Sequence, residues 1–146
     1  MNRKILFFDI DGTLVTAPPC TIPESTAQAI TQARKNGHLC FINTGRTHVI
    51  IPKDLLTLGF DGYVCGCGTN IYCTKDNTLQ EILYINQNHS IVSEILTEAR
   101  KYPLDILFES KYEVRFDISR PLLSEGGIRQ YRSFANRNYD MSHDPE

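Results

Sequence analysis

Two short polar clusters each follow an apolar run, and both carry residue types that do chemistry. Asp9-Ile10-Asp11-Gly12-Thr13 comes directly after Ile5-Leu6-Phe7-Phe8. Two carboxylates two residues apart at a strand end can face one crevice when the second sits in the loop. Gly12 permits a tight turn there, and Thr13 adds a hydroxyl. Such a pair offers a carboxylate nucleophile beside a second carboxyl able to move protons. Two acids this close also attract a hard divalent cation, most simply Mg²⁺. The plain alternative is a surface Asp-Gly turn with an incidental acid before it, but a chance match to D-x-D-G-T is about one in a thousand for a chain of this length. Asn43-Thr44-Gly45-Arg46 follows Leu39-Cys40-Phe41-Ile42 in the same way. A Thr hydroxyl, a glycine whose amide can come close, and a helix starting just after form a phosphate-binding arrangement. Arg46 could pair with a phosphate or a substrate anion. A helix cap explains Thr44 equally well in isolation; the match between the two clusters favours the functional reading.

The elements around these clusters must bring them together. Lys4 to Asp9 reads as a buried strand. Thr21-Ile22-Pro23-Glu24 has the form of a capping box, Ala27, Ile30 and Ala33 follow at helical spacing, and Gly37 is a natural stop. Leu39 to Ile42 is a second strand, Ile51 to Leu58 a short helix with Pro52 in its first turn, and Tyr63 to Cys65 a third strand. Strand, helix, strand, helix, strand implies parallel strands with crossover helices, an α/β layered sheet. Active sites of such sheets lie at the carboxyl ends of the strands, where both clusters sit. After Thr69 the character changes. Asn70 to Cys73 and Glu81 to Ile85 read as strands around the polar turn Lys75-Asp76-Asn77. Ser90 opens a helix through Tyr102, and Leu104 to Glu109 and Tyr112 to Phe116 read as a hairpin around Ser110-Lys111. The boundary is placed near Thr78, giving an α/β section 1–78 and an α+β section 79–146. The apolar pattern weakens from Ser119 onward, and the polar end from Asn138 to Glu146 is expected to fray.

With 41% hydrophobic and 22% charged residues in 146, the chain fits about one soluble globular domain and not a disordered or coiled-coil chain. No apolar run approaches the roughly 20 residues of a membrane span. Asp9 and Asp11 interrupt any signal-peptide core, so the cytosol is the expected location and no membrane partner is expected. A net charge of −2 supplies no basic field for nucleic acid. Arg115, Arg120, Arg129, Arg132 and Arg137 are interleaved with acids and read as a solvated surface. The odd cysteine count fits reduced thiols. Cys65, Cys67 and Cys73 cluster, but their spacing is not that of paired zinc knuckles.

The chain resembles the haloacid dehalogenase superfamily of phosphohydrolases, more specifically its Cof-type subfamily with a large cap. Phe8-Asp9-Ile10-Asp11-Gly12-Thr13-Leu14 is similar to that family's first motif and Asn43-Thr44-Gly45-Arg46 to its second. Leu58 to Tyr63 followed by Gly66-Cys67-Gly68-Thr69 resembles the segment leading into the cap, with Cys67 where the subfamily usually has Asn. The match covers about the first 75 residues. The resemblance implies a Rossmann-like parallel sheet, here a partial core, with the start of an α+β cap. It implies that Asp9 attacks phosphorus and becomes an aspartyl phosphate. Asp11 would protonate the leaving oxygen and then activate water, while Thr44 and the Gly45 backbone, with Arg46, hold the phosphoryl group or substrate. Mg²⁺ would be held by the Asp9 side chain and the Asp11 main-chain carbonyl, and the substrate would be a small phosphorylated metabolite.

The departures point the other way. The family continues to a catalytic Lys and a G-D-x-x-N-D-like acidic motif after the cap. Here Asp105, Asp117, Asp140 and Asp144 lack those flanks, and Lys101 and Lys111 come too early. The expectation is a sequence ending inside the cap, with Ile5 to Phe8 at an open sheet edge. The alternative reading is therefore a truncated, inactive fragment. A phospho-accepting receiver domain is disfavoured, because Val64-Cys65-Gly66 at the third strand end has no Asp.

Overall fold

The computed structural model describes residues 2–16 and 21–135. Cys20, Arg137 and the polar end from Asn138 onward, whose expectations are given above, lie outside the described residues. The chain divides into two compact units, Met1–Ile85 and Asn86–Glu146.

The first unit is a five-stranded sheet in the order β1 (Ile5–Phe8), β2 (Leu39–Asn43), β3 (Gly62–Cys65), β4 (Asn70–Lys75), β5 (Thr78–Tyr84). β1, β2 and β3 are parallel, as the strand–helix alternation requires, and β4 and β5 continue antiparallel. Phe8 pairs with Ile42, so the two motif loops leave the sheet at the same end and on adjacent strands. The β4–β5 turn is a two-residue loop, Asp76 and Asn77, both at positive φ as tight hairpins demand. β5 runs on to Tyr84 in this sheet, past the boundary expected near Thr78.

Helix α1 (Glu24–Lys35) buries Ile30 against a core of Ile10, Leu14, Ile42, Leu55, Phe60 and Tyr63, with Leu6, Phe8 and Ala33 packed on it. Full burial of a side chain such as Ile30 contributes about 1.5–3 kcal/mol. The helix ends as Gly37 foretells: at φ +82° its amide donates to the Arg34 carbonyl and the His38 amide to the Ala33 carbonyl, at 2.9 and 3.1 Å. The expected capping box does not form. Pro23 occupies the N-cap, and no side-chain cap bond is made. Thr21 instead pairs with Thr16, hydroxyl to hydroxyl at 3.1 Å, so its oxygen serves the incoming loop. The expected helix over 51–58 is also shorter. A 3₁₀ turn at His48–Ile50 precedes α2 (Lys53–Leu56), and Ile51 between them is extended. Pro52 disfavours helical geometry in the residue before it, which accounts for the break.

The second unit contains α3 (His89–Ala99), the antiparallel hairpin β6 (Leu107–Glu109) and β7 (Val114–Phe116), and α4 (Glu125–Ala135). α3 starts one residue before Ser90, because Asn88 is the cap and its side chain accepts from the Ser90 amide at 3.0 Å. α4 lies where the apolar pattern gave no element. Its Tyr131 and Phe134 pack on Phe116 with ring centroids 5.4 and 6.3 Å apart. Asp105 fixes the approach to α4 by accepting from the Leu123 and Ser124 amides at 2.7 and 2.9 Å.

Candidate active site

The site is built on the carboxyl ends of β1 and β2. Beyond Phe8 the chain passes exposed Asp9, buries Ile10 completely and turns back on itself. The Ile10 carbonyl accepts from the Leu14 and Val15 amides at 3.0 Å each, and the Gly12 amide donates to the Val15 carbonyl at 3.0 Å. Gly12 sits at φ +81°, a conformation that costs a residue with a Cβ. Leu14 and Val15 are buried, so the turn is clamped to the core while Asp9 and Asp11 stay at the surface.

The second loop is held as firmly. Thr44 is 5% exposed. Its amide donates to the Val64 carbonyl at 2.9 Å, and its hydroxyl accepts from the Arg46 amide at 3.2 Å. The Arg46 carbonyl in turn accepts from the Gly66 amide at 2.8 Å, tying the loop to the end of β3. Gly45 is exposed at the loop tip, and a Cβ built on it would lie 3.5 Å from the Cys67 sulfur. Cys67 itself is exposed and at φ +54°. Beneath the loop, His48 packs on Tyr63 and Tyr72 at centroid distances of 5.1 and 4.8 Å, and burial lowers its pKa.

One contact joins the two motifs. Arg46 grips Asp11 with both arms of its guanidinium, Nε to Oδ2 at 2.9 Å and NH2 to Oδ1 at 2.6 Å. Its hydrogen bonds hold the Asp11 carboxyl below its ordinary range, against a smaller opposing effect of burial. The sequence assigned Arg46 to a phosphate and did not foresee this pairing. The signal available was opposite charge at the matching ends of two neighbouring parallel strands.

Asp9, Asp11, Thr44, Gly45 and Arg46 all lie on the two loops at this end of the sheet. Asn70 is 3% exposed, and its side-chain amide donates to the Leu83 carbonyl within the β4–β5 ladder at 3.2 Å. Cys65, beside the loop, is fully buried, and burial pushes its thiol up to about 12, which makes it inert. As metal donors, Asp9 and the Asp11 main chain are hard oxygens, chemistry that suits Mg²⁺ over softer ions. Among the described residues no three His, Cys, Asp or Glu side chains cluster, so this is a short donor set that water would have to complete.

Comparison with known proteins bears on this arrangement. A sequence profile for haloacid dehalogenase-like hydrolases matches residues 6–145. The putative phosphatase YkrA of Bacillus subtilis is 36% identical over 64 residues, 44% of this chain and 24% of its own. The pyridoxal phosphate phosphatase YbhA of Escherichia coli is 35% identical over 82 residues, 56% of this chain and 30% of its own. Among solved structures, the subclass IIB sugar phosphatase BT4131 superposes with a TM-score of 0.73 at 25% identity, covering 92% of this chain and 50% of that one. The chain thus spans about half the length of that structure and less of the curated relatives. No helix among the described residues is long and apolar enough to cross a membrane.

Proposed function

Because the chain belongs to the haloacid dehalogenase-like hydrolases, we propose that it carries a phosphohydrolase site acting on a small phosphorylated metabolite, with Asp9 as nucleophile. The observation that carries this reading is the placement of two matched motif loops on adjacent parallel strand ends, joined by the Arg46–Asp11 pair. The phosphatase names of the relatives agree with it.

In this mechanism an Asp9 oxygen attacks phosphorus, the bond to the leaving oxygen breaks, and Asp11 gives that oxygen a proton. Water then attacks the aspartyl phosphate, loses its proton to the Asp11 carboxylate, and frees phosphate and Asp9. Thr44 and the Gly45 amide hold the phosphoryl oxygens through both steps. The ion pair with Arg46 favours the ionised Asp11, the form that accepts the proton from water. For the first step the pair must part, and Arg46 is then available to the anionic substrate. Mg²⁺, held by the Asp9 side chain and the Asp11 main-chain carbonyl, would neutralise charge on the phosphoryl group. We assign the first unit, Met1–Ile85, to the catalytic core and the second, Asn86–Glu146, to the cap. We place the activity in the cytosol, where free thiols such as those of Cys40, Cys65, Cys67 and Cys73 stay reduced.

The test is hydrolysis of an aryl phosphate with Mg²⁺. Asp9→Asn is expected to abolish turnover and leave the circular dichroism spectrum unchanged, and Asp11→Asn to cost roughly 10²–10⁴-fold. No Asp9-dependent turnover at all would overturn the proposal. With so short a donor set, calorimetry should find Mg²⁺ binding no tighter than about millimolar. Micromolar affinity would mean that further ligands exist.

A further inference from the structure

Two residues beyond Arg46, His48 opens the 3₁₀ turn His48–Ile50 that leads from the second motif loop toward α2. Tyr63 and Tyr72 are cross-strand partners on β3 and β4, so their rings share one face of the sheet. The His48 ring stands edge-on to Tyr63, at 87°, and tilted against Tyr72, at 49°. Its Nε2 is buried and makes no hydrogen bond among the described residues, and the Thr47 hydroxyl is buried in the same way. No side chain caps the turn. Packing and two backbone bonds seat it: the Ile50 amide donates to the Thr47 carbonyl at 3.1 Å and the Ile51 amide to the His48 carbonyl at 3.2 Å. The seat matters to the site because the Ile50 carbonyl accepts from Arg46 NH1 at 3.4 Å, while the other two guanidinium nitrogens hold Asp11.

A neutral imidazole suits this place and an imidazolium does not. The charged ring carries an N–H on both nitrogens, and the one at Nε2 has no acceptor there. Tyr63 from β3 and Tyr72 from β4 are the titratable groups facing the ring, and neither carries a negative charge near neutral pH. On its own loop the nearest charge is Arg46, which is also positive. Burial alone shifts the His48 pKa, and downward. We propose that His48 is a positioning residue and an acid-sensitive latch: the neutral ring seats the turn that steadies Arg46, and one proton taken up by the ring drives it out from between Tyr63 and Tyr72 and frees the second motif loop. A lowered folded-state value gives holding energy that is complete above the ordinary His value of about 6.5 and is lost as pH falls through the folded value. The effect on turnover rests on the phosphohydrolase reading, whereas the latch is a property of the loop.

The measurements use the whole chain and begin without turnover. NMR titration of the histidine rings should give His48 a midpoint below about 6.5. Hydrogen exchange reads the loop through the Gly66 amide, which donates to the Arg46 carbonyl at 2.8 Å. Corrected for the intrinsic pH dependence of exchange, its protection should fall by up to roughly tenfold for each pH unit below about 6.5, because opening then takes up one proton. His48→Phe keeps a ring between the tyrosines and cannot be charged, so that fall should disappear. His48→Gln lacks the ring and should leave Gly66 less protected than in the wild type even at neutral pH. Circular dichroism checks that both variants fold, and the wild-type titration needs neither. In the aryl phosphate assay, kcat/KM should drop through the His48 midpoint in the wild type and hold to lower pH in His48→Phe. Absence of Asp9-dependent turnover would sink the phosphohydrolase reading and leave the exchange result to decide the latch. A His48 midpoint at or above about 6.5, the same pH response of Gly66 in wild type and His48→Phe, full Gly66 protection in His48→Gln, or the same acid limb of activity in wild type and His48→Phe would each overturn the proposal.

Discussion

Each unit of the molecule contains an arginine that grips an aspartate with two hydrogen bonds, in both cases Nε to Oδ2 and a terminal guanidinium nitrogen to Oδ1. Arg46 meets Asp11 at 2.9 and 2.6 Å, and Arg100 meets Asp117 at 2.8 Å twice. What separates them is the surroundings of the acid. The Asp11 side chain is 58% exposed and that of Asp117 is 2% exposed. Water can take over from Arg46 at little cost, so that pair can open and exchange its partner for an anion. Water cannot readily take over from Arg100, because the Asp117 carboxylate is buried, with further support from Ser119, whose amide lies at 3.1 Å. The same two side chains therefore make a permanent tie in the second unit and a releasable one at the site of the first.

The difference is open to measurement. Arg100→Met leaves a buried carboxylate without its cation and is expected to cost about 3–5 kcal/mol in a urea melt. The next effect is acid sensitivity. Hydrogen bonds from Arg100, helped by Ser119, hold the Asp117 carboxyl well below the usual carboxylate range. A depressed folded-state pKa gives stability that is present above the unfolded value of about 3.9 and is lost as pH falls from there toward the folded value. Melts repeated between about pH 5 and pH 2 should lose stability progressively, and Asp117→Asn should flatten that limb. The smallest effect is at the surface: Arg46→Met should cost only about 0–1 kcal/mol of stability. Equal costs for Arg46→Met and Arg100→Met would mean that burial is not what distinguishes the pairs.

How far this was legible in the sequence varied with the range of the interaction. Ile5 to Phe8, Leu39 to Ile42 and Tyr63 to Cys65 announced their strands because four or so consecutive apolar residues between turn signals have few other uses. Gly37 announced its helix end because only a left-handed residue closes that turn cheaply. Thr21 misled because the capping-box spacing says nothing about what else its hydroxyl can reach, and Thr16 was nearer. α4 was overlooked although Ile128, Tyr131 and Phe134 recur at helical spacing; Gly126 and Gly127 at its start weaken the local signal. The candidate site residues could be read from their positions after the strands. The Arg46–Asp11 contact could not, since it links residues 35 apart through a crossover whose geometry no local pattern encodes.

The strands stand in the sheet in the order in which they are synthesised, β1 through β5, and this has a consequence for how the molecule assembles. β4 and β5 are joined by two residues, whereas the ladder of β1 closes contacts such as that of the Lys4 amide with His38, 34 residues apart. A tight hairpin forms in about 1–10 μs, and closing a longer loop carries a larger entropic cost. The folding hypothesis is therefore that the sheet grows from β5 inward and that β1 docks last. Pulse-labelled hydrogen exchange should find β4 and β5 amides protected before those of β1; the reverse order would refute it. A chain paused one step short of the native state would have its hairpin, its helix and its second motif loop in place, yet Asp9 would still be tethered to an undocked strand. The last step of folding is then also the one that assembles the site.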